Sequence, residues 1–369
     1  MAYGTVNADK MTTSDGVSSS GLYGFKNRII NGSMVIDQRN AGASVTPNGV
    51  VYNIDRWWTY NTQTSKFTIQ QNAGSVTPPV GFKNYLGATS SSAYTVTSTD
   101  QFFIAQTIEG YNIADLGWGT ASAATVALSF WVRSSLTGTF AGSIQNNTNA
   151  RSYVFSYTIS SANTWEQKSI TIAGDTSGTW EATNSGGLIT IFSIGAGTNF
   201  NATAGAWSAG NFKSVTGAVS VVGTSGATFY ITGVQLEKGS TATSFDYRPY
   251  GTELQLCYRY YQRQVAETAS ATFITGVVAS SVSNGNGGYQ LMSPMRTSPT
   301  LDNSAVGTFS YSDGVTAYTV TVISLATSQT NTRMAAVNFS VASGLTAGRT
   351  YRIEANSSTT AYLGFSAEL

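Results

Sequence analysis

Whatever chemistry this chain performs is done without histidine. None of its 369 residues is His, and Cys257 is its one cysteine. That removes Ser-His-Asp and Cys-His nucleophile systems, imidazole acid–base work and the usual zinc and iron sites. Carboxylate, Tyr or Lys chemistry and oxygen-ligated metals remain. Two stretches set carboxylates beside indoles, Trp165-Glu166 and the run from Asp175 to Trp180-Glu181. A glycosidase needs two carboxyl groups about 5–9.5 Å apart across a cleft, so Glu166, Asp175 and Glu181 are where such a reading attaches. The preferred reading makes them solvated or turn carboxylates beside structural tryptophans, since Asp-Thr-Ser-Gly is turn chemistry first. No catalytic residue is assigned, and the chain is expected not to be an enzyme. The aromatic residues suggest binding instead. A pyranose stacks its C–H face on a ring while neighbouring amides bond its hydroxyls. Trp118, Trp180 and Trp207 stand close to Gly or Ser and are the candidate carbohydrate-binding residues, with core packing the competing role for each.

These residues must be positioned by strands. Stretches with period-two alternation, bounded by Gly, Asn or Ser, recur at Lys66–Gln71, Gln101–Glu109, Val126–Arg133, Ser152–Ile159, Gln167–Ile172, Leu188–Ile194 and Thr228–Leu236. Val126, Leu128, Phe130 and Val132 share one face, as do Tyr153, Phe155, Tyr157 and Ile159. Many short strands with Gly-rich turns and no alternation with helices indicate an all-β sandwich. The stretch Thr228–Arg263 is the joint of the chain. It begins as a strand, breaks at Gly239, and after Pro249-Tyr250-Gly251 changes period. Leu254, Tyr258, Tyr261 and Val265 are spaced by four, three and four, which predicts a helix over 250–265. Cys257 reads as a packed residue of that helix, and Tyr258, Tyr260 and Tyr261 as packing between domains or subunits. Strands are expected again at Thr272–Ala279, Tyr318–Leu325, Ala335–Val341, Thr350–Ala355 and Ala361–Leu369. No fixed-period repeat occurs.

Composition bounds the partners. Charged residues are 10% of the chain, against about 25% in ordinary globular proteins. The net charge is +1 and the basic residues are scattered, so no nucleic-acid stripe exists. No apolar run reaches the ~18 residues that span a bilayer. The N-terminus lacks the charged-then-apolar order of a signal peptide.

Two blocks carry a resemblance. Asn27–Trp57 reads NRIINGSMVIDQRNAGASV…YNIDRW. The joint reads GVQLEKGSTATSF and then RPYGTELQLCYRYYQ. In this order they resemble the tail-fibre-like and other virion surface proteins of tailed bacteriophages, those of marine and cyanobacterial phages most. Asn163–Glu166, Gly174–Trp180 and the Gly-Val-Gln-Leu-Glu strand also resemble the jelly rolls of carbohydrate-binding modules. The first resemblance implies that residues 27–59 supply an opening strand pair. It also implies an N-terminal arm that docks to other virion proteins, and a trimer. The second implies a sugar-binding architecture without a cofactor. Such jelly rolls often hold a structural Ca²⁺ through oxygens, to which Glu237 and Asp55 are the possible contributors.

The expected organisation is a virion-docking arm (1–26), a jelly-roll domain (27–249), a connecting helix (250–265) and a smaller C-terminal β-sandwich domain (266–369). The expected function is that of a tail fibre or fibre-like appendage attaching to host cell-surface polysaccharide without catalysis. The alternatives are a capsid decoration or head fibre protein with a purely structural role, and a polysaccharide-degrading tailspike.

Overall fold

A computed structural model describes residues 25–369; the arm expected over 1–26 lies almost wholly outside them. The described residues are all-β apart from one α-helix and short 3-10 turns, and divide into two compact units, one to Glu253 that also takes in Leu369, the other from Leu254 to Glu368.

The first unit is a jelly-roll sandwich. Its larger sheet has seven strands: β1 (Val51–Ile54), β2 (Trp57–Asn61), β5 (Gln101–Glu109), β10 (Gly186–Ala196), β7 (Gly138–Asn146), β8 (Arg151–Ile159) and β11 (Trp207–Ala209), adjacent in that order. The smaller has five: β3 (Phe67–Gln71), β4 (Leu86–Ser90), β12 (Thr228–Lys238), β6 (Val126–Ser134) and β9 (Glu166–Ile172). The period-two faces read from the sequence meet between the sheets. Trp57, Phe102, Phe140, Phe155 and Phe192 of one sheet pack on Phe67, Leu128, Phe130, Phe229 and Ile231 of the other, all at most 2% exposed. Phe130 and Phe192 meet edge to face at 4.9 Å. Each such side chain contributes about 1.5–3 kcal/mol by leaving water.

The first resemblance block differs from its expectation. Residues 27–44 contain no strand. Met34 and Ile36 are both buried about a partly exposed Val35, as their alternation predicts, but Met34 sits at φ 58°, outside strand geometry, and side-chain amides replace the ladder. Asn27 donates through Nδ2 to the Val234 carbonyl at 3.0 Å and accepts at Oδ1 from the Leu236 N–H at 3.0 Å. Asn31 donates to the carbonyls of Ile36 and Asp55, at 2.8 and 2.9 Å. Gln106 bonds both the N–H and the carbonyl of Ile30, at 2.9 and 2.8 Å. Gly32 passes so close to β12 that a Cβ there would overlap the Val234 carbonyl oxygen. The Asn27 block and the Thr228 strand are thus bonded to each other.

Asp100 fixes the start of β5. Its carboxylate is 2% exposed and accepts from Thr62 Oγ1, Tyr94 OH, the Thr97 N–H and Thr97 Oγ1 at 2.7–2.8 Å. Burial alone pushes its pKa up, but the Thr97, Thr62 and Tyr94 donors outweigh that and hold it at about 2. A carboxyl depressed in the folded state stabilises at pH above its unfolded value and ceases to do so as pH falls through the folded one. Asp100→Asn is therefore expected to lose about 2 kcal/mol at pH 7 and to flatten the acid limb between pH 4 and 2. Urea denaturation of both proteins at pH 7 and pH 3 checks this; an equal deficit at both pH values would contradict it.

The helix is shorter than its periodicity predicts. α1 covers Tyr250–Tyr258, and Tyr261–Val265 is a strand, β13. Tyr261, Gln262, Arg263, Gln264 and Val265 pair antiparallel with β21 (Tyr362–Ser366) from the far end of the chain. A long-range ladder overrides a local pattern that fits either element. Cys257, Tyr260 and Tyr261 are fully buried.

The second unit comprises a three-stranded sheet, β13, β21 and β16 (Thr300–Asn303), and a closed six-stranded barrel. Around the barrel run β14 (Thr272–Ala279), β15 (Asn284–Gln290), β19 (Met334–Val341), β18 (Ala317–Leu325), β17 (Phe309–Ser312) and β20 (Thr350–Ala355). Phe309, Tyr311, Val337, Phe339 and Ile353 fill its core. Closure removes the exposed sheet edges that invite mispairing. Among the described residues no helix is long and apolar enough to cross a membrane.

Candidate functional site

The sequence of β2, Trp57-Trp58-Thr59-Tyr60-Asn61, builds the site. Trp57, Thr59 and Asn61 are buried, while Trp58 and Tyr60 between them are partly exposed. Successive side chains of a strand face opposite ways, so the second set lies on the outer face of the large sheet. The register extends that face across the neighbouring strands. Trp58 is opposite Ala105 and Tyr60 opposite Phe103. Ala105 is in turn opposite Ile191, and Thr107 opposite Ile189. Ile189 then meets Gln145. The apolar members form a cluster of their own, separate from the sandwich core. Trp58 meets the Phe103 ring edge to face at 5.4 Å, and Tyr60 lies 5.5 Å from it. Trp58 Nε1 donates to Thr107 Oγ1 at 3.2 Å, which sets the indole.

Over this floor lies a groove of about 380 Å³, rimmed by Gln101, Gln145, Asn147, Asn149, Asn211 and Lys213. Its size is that of an ordinary small-ligand site. The rim is held from beneath. Asn146 Oδ1 accepts the N–H groups of Ala150 and Arg151 at 2.9 and 3.0 Å and so fixes the turn carrying Asn147 and Asn149. Ser152 Oγ accepts the Phe212 N–H at 3.0 Å and donates to the Gly210 carbonyl, which fixes the loop carrying Asn211 and Lys213. Gln145 Nε2 donates to the Phe212 carbonyl at 2.7 Å, while its Oε1 is buried without a hydrogen-bond partner.

Lys213 is 3% exposed. Its ammonium lies 5.4 Å from the centre of the Phe103 ring and 5.3 Å from that of Phe200, and donates to Asn211 Oδ1. Burial pushes its pKa down to about 8. No aspartate or glutamate lines the groove. The arrangement offers stacking faces, amides that both donate and accept, and one cation.

The structure brings Trp118, Trp180 and Trp207 together, away from this groove. Their ring centres are 4.7, 5.3 and 5.5 Å apart, each pair edge to face. Trp118 is 6% exposed and presents no face to a sugar. Each indole N–H is occupied: Trp118 donates to the Ala124 carbonyl and Trp207 to that of Ala173, both at 2.7 Å, and Trp180 to Asp175 Oδ2 at 3.3 Å. Trp180 and Trp207 are partly exposed and pack against the sandwich core.

The carboxylates are similarly engaged. Arg151 clamps Asp175 through two bonds of 2.8 and 2.6 Å. Glu166 accepts from the N–H groups of Ser160 and Ser161 and pairs with Lys168. Glu181 accepts from Thr183 Oγ1. Glu237 accepts from Gln235 Nε2 and from the N–H and Oγ1 of Thr243, all at 2.8 Å, and Asp55 accepts from Gln38. Among the described residues no three His, Cys, Asp or Glu side chains gather as a metal would require.

The sequence reading did not single out Trp58 and Tyr60. Their signal was present: two aromatics at spacing two, on the face opposite to a buried Trp57. What it lacked was the register that sets Phe103, Ile189 and Gln145 beside them.

No family model matches the chain, and no curated protein matches it. Among solved structures, it is similar to the enzymatically active domain of tailspike protein 4 of bacteriophage CBA120, at 12% identity and a TM-score of 0.31, over 58% of this chain and 22% of that one. A proposed sugar-binding protein from Bacteroides thetaiotaomicron matches at 14% identity and a TM-score of 0.34, over 58% of this chain and all (100%) of that one. The family 11 carbohydrate-binding module of Clostridium thermocellum, solved with a β-1,3-1,4-mixed-linked tetrasaccharide, matches at 13% and 0.27, over 55% of this chain and 100% of that one. The chain thus spans less than a quarter of the tailspike domain's length. Likeness at these scores carries no functional weight.

Proposed function

We propose that the first unit is a carbohydrate-binding module that holds a glycan chain in the groove over Trp58, Phe103 and Tyr60 without cleaving it. The observation that carries this is the groove's composition: two partly exposed aromatic rings on a rigid sheet, rimmed by five amide side chains. Rings recognise the apolar faces of sugars, and amides their hydroxyls. Placing the rings on paired strands keeps the surface preorganised. Non-catalytic binding is supported by the lack of acidic side chains in the lining and by the structural bonds that Glu166, Asp175 and Glu181 make.

The setting proposed for this module is a tail fibre or fibre-like appendage on the virion of a tailed bacteriophage, where it attaches to host surface polysaccharide. The support is the resemblance of the Asn27 and Thr228 blocks, which are bonded to each other. A single groove of this kind binds weakly, and copies in a homo-oligomer, a trimer in this reading, convert weak sites into firm attachment.

The test is retention of the purified chain on immobilised surface polysaccharides of candidate hosts, with sugar release followed in the same samples. Retention without release is expected. Release of fragments would overturn the non-catalytic reading. Absence of retention on every host polysaccharide would overturn the binding reading and leave a structural subunit.

A further inference from the structure

Lys213 sits in the groove under unusual terms. A lysine ammonium has three donors, and one of them goes to Asn211 Oδ1. The ammonium makes no second hydrogen bond to the described residues; the rings of Phe103 and Phe200 lie beside it. The side chain is almost wholly buried, and no aspartate or glutamate shares its groove; the carboxyl-terminal residue Leu369 is also in the lining, and its carbonyl oxygen accepts from Tyr52 OH. Burying an ammonium without an anion is costly, and a ring face repays only part of that cost. A solvated surface position, or a methionine in the same space, would avoid it. The same groove leaves Gln145 Oε1 as a buried acceptor without a partner. A cation short of acceptors and an acceptor short of donors, side by side in one lining, are what an acidic sugar would complete.

Resting on the reading of the groove as a glycan site, we infer that its ligand is an anionic polysaccharide, whose carboxylate or sulfate ester accepts hydrogen bonds from Lys213 Nζ. The aromatic floor supplies the general affinity for sugar rings, and Lys213 supplies the preference for charge. The depressed pKa of about 8 agrees with a cation that lacks its counter-ion, and a bound anion would raise it. No titratable side chain faces Lys213 from the elements packed on it: β5 contributes Phe103, the turn at Thr198–Phe200 contributes Phe200, and its own loop contributes Asn211. Tyr60 and the carboxyl-terminal residue Leu369 are the other titratable groups of the lining.

The experiment compares two pairs of polymers that differ in charge alone. Polygalacturonate is set against its methyl-esterified form, and dextran sulfate against dextran, with binding of the full chain measured at pH 7. An acidic member is expected to bind about tenfold more tightly than its neutral counterpart, the difference of one charge-assisted hydrogen bond. The pair that shows the difference separates carboxylate from sulfate. Lys213→Met is expected to collapse the acidic-to-neutral ratio towards one, and Lys213→Arg to keep it. A measurement on the unaltered chain guards against a variant that fails to fold. With the dextran pair, whose groups withstand alkali, the ratio should fall between pH 7 and 10, because the lysine discharges while the sulfate esters stay ionised. Equal binding of charged and neutral members, or a ratio unmoved by Lys213→Met and by pH, would overturn this inference and leave the groove reading standing. Failure to bind any of the four polymers, with host polysaccharide retained, would overturn the inference for both anion classes. Failure on host polysaccharide as well would remove the groove reading with it.

Discussion

Trp58→Ala is expected to cost at least about 30-fold in affinity for the retained polysaccharide while leaving a folded protein. Central aromatic anchors of binding surfaces typically cost about 2 kcal/mol or more on truncation, which is about 30-fold. The indole lies outside the sandwich core, on a separate cluster with Tyr60, Phe103, Ala105, Ile189 and Ile191. Its removal takes away one stacking face and the bond to Thr107 Oγ1, and leaves the packed layer between the sheets in place. Isothermal titration or affinity electrophoresis of Trp58→Ala and Trp58→Phe separates ring from bulk: Phe should recover most of the binding. Unchanged binding by Trp58→Ala would mean that the sugar lies elsewhere.

One residue earlier the same substitution has the opposite signature. Trp57 is fully buried in the core, lies 6.4 Å from Phe192 and donates from Nε1 to the Asn31 carbonyl at 3.0 Å. Trp57→Ala opens a large cavity and removes one of the two bonds to that carbonyl, which also accepts from the Met34 N–H at 3.1 Å, so a loss of about 3–5 kcal/mol is expected, most of it from the cavity. Set against the 5–15 kcal/mol that domains of this kind possess (roughly), such a loss leaves the first unit marginal. A large fall in the urea midpoint for Trp57→Ala beside a small one for Trp58→Ala is the expected pair. Comparable midpoints would show that β2 does not sit in the register described, because a shift of one residue exchanges the two faces.

The contrast between these adjacent tryptophans shows what the sequence makes legible. Val126, Leu128, Phe130 and Val132 face the core as their alternation predicts, and each of the seven strands expected between residues 66 and 236 exists within a few residues. The strands that were not foreseen have weak patterns. β15 reads Asn-Gly-Asn-Gly-Gly-Tyr-Gln, with no apolar alternation. Its glycines are there because partners press on it: a Cβ on Gly287 would lie 2.7 Å from Val277 Cγ2, and one on Gly285 would overlap the Tyr311 hydroxyl. β13 carries a spacing that suits a helix as well as a strand, and only pairing with residues a hundred positions away decides it. The site was hidden for the same reason. Trp118, Trp180 and Trp207 look exposed from their Gly- and Ser-rich flanks, yet each finds the other two. Asn211 and Lys213 were not singled out, because only the fold sets them beside Gln145 and Phe103.

The most direct measurement is a crystal structure of the chain with an oligosaccharide cut from a polysaccharide that retains it. The account predicts a sugar ring stacked on Trp58 or Tyr60, hydroxyls bonded by the rim amides, and an acidic substituent within hydrogen-bond reach of Lys213 Nζ. Sugar density over Trp180 and Trp207, or anywhere away from the outer face of β2, β5, β10 and β7, would contradict it.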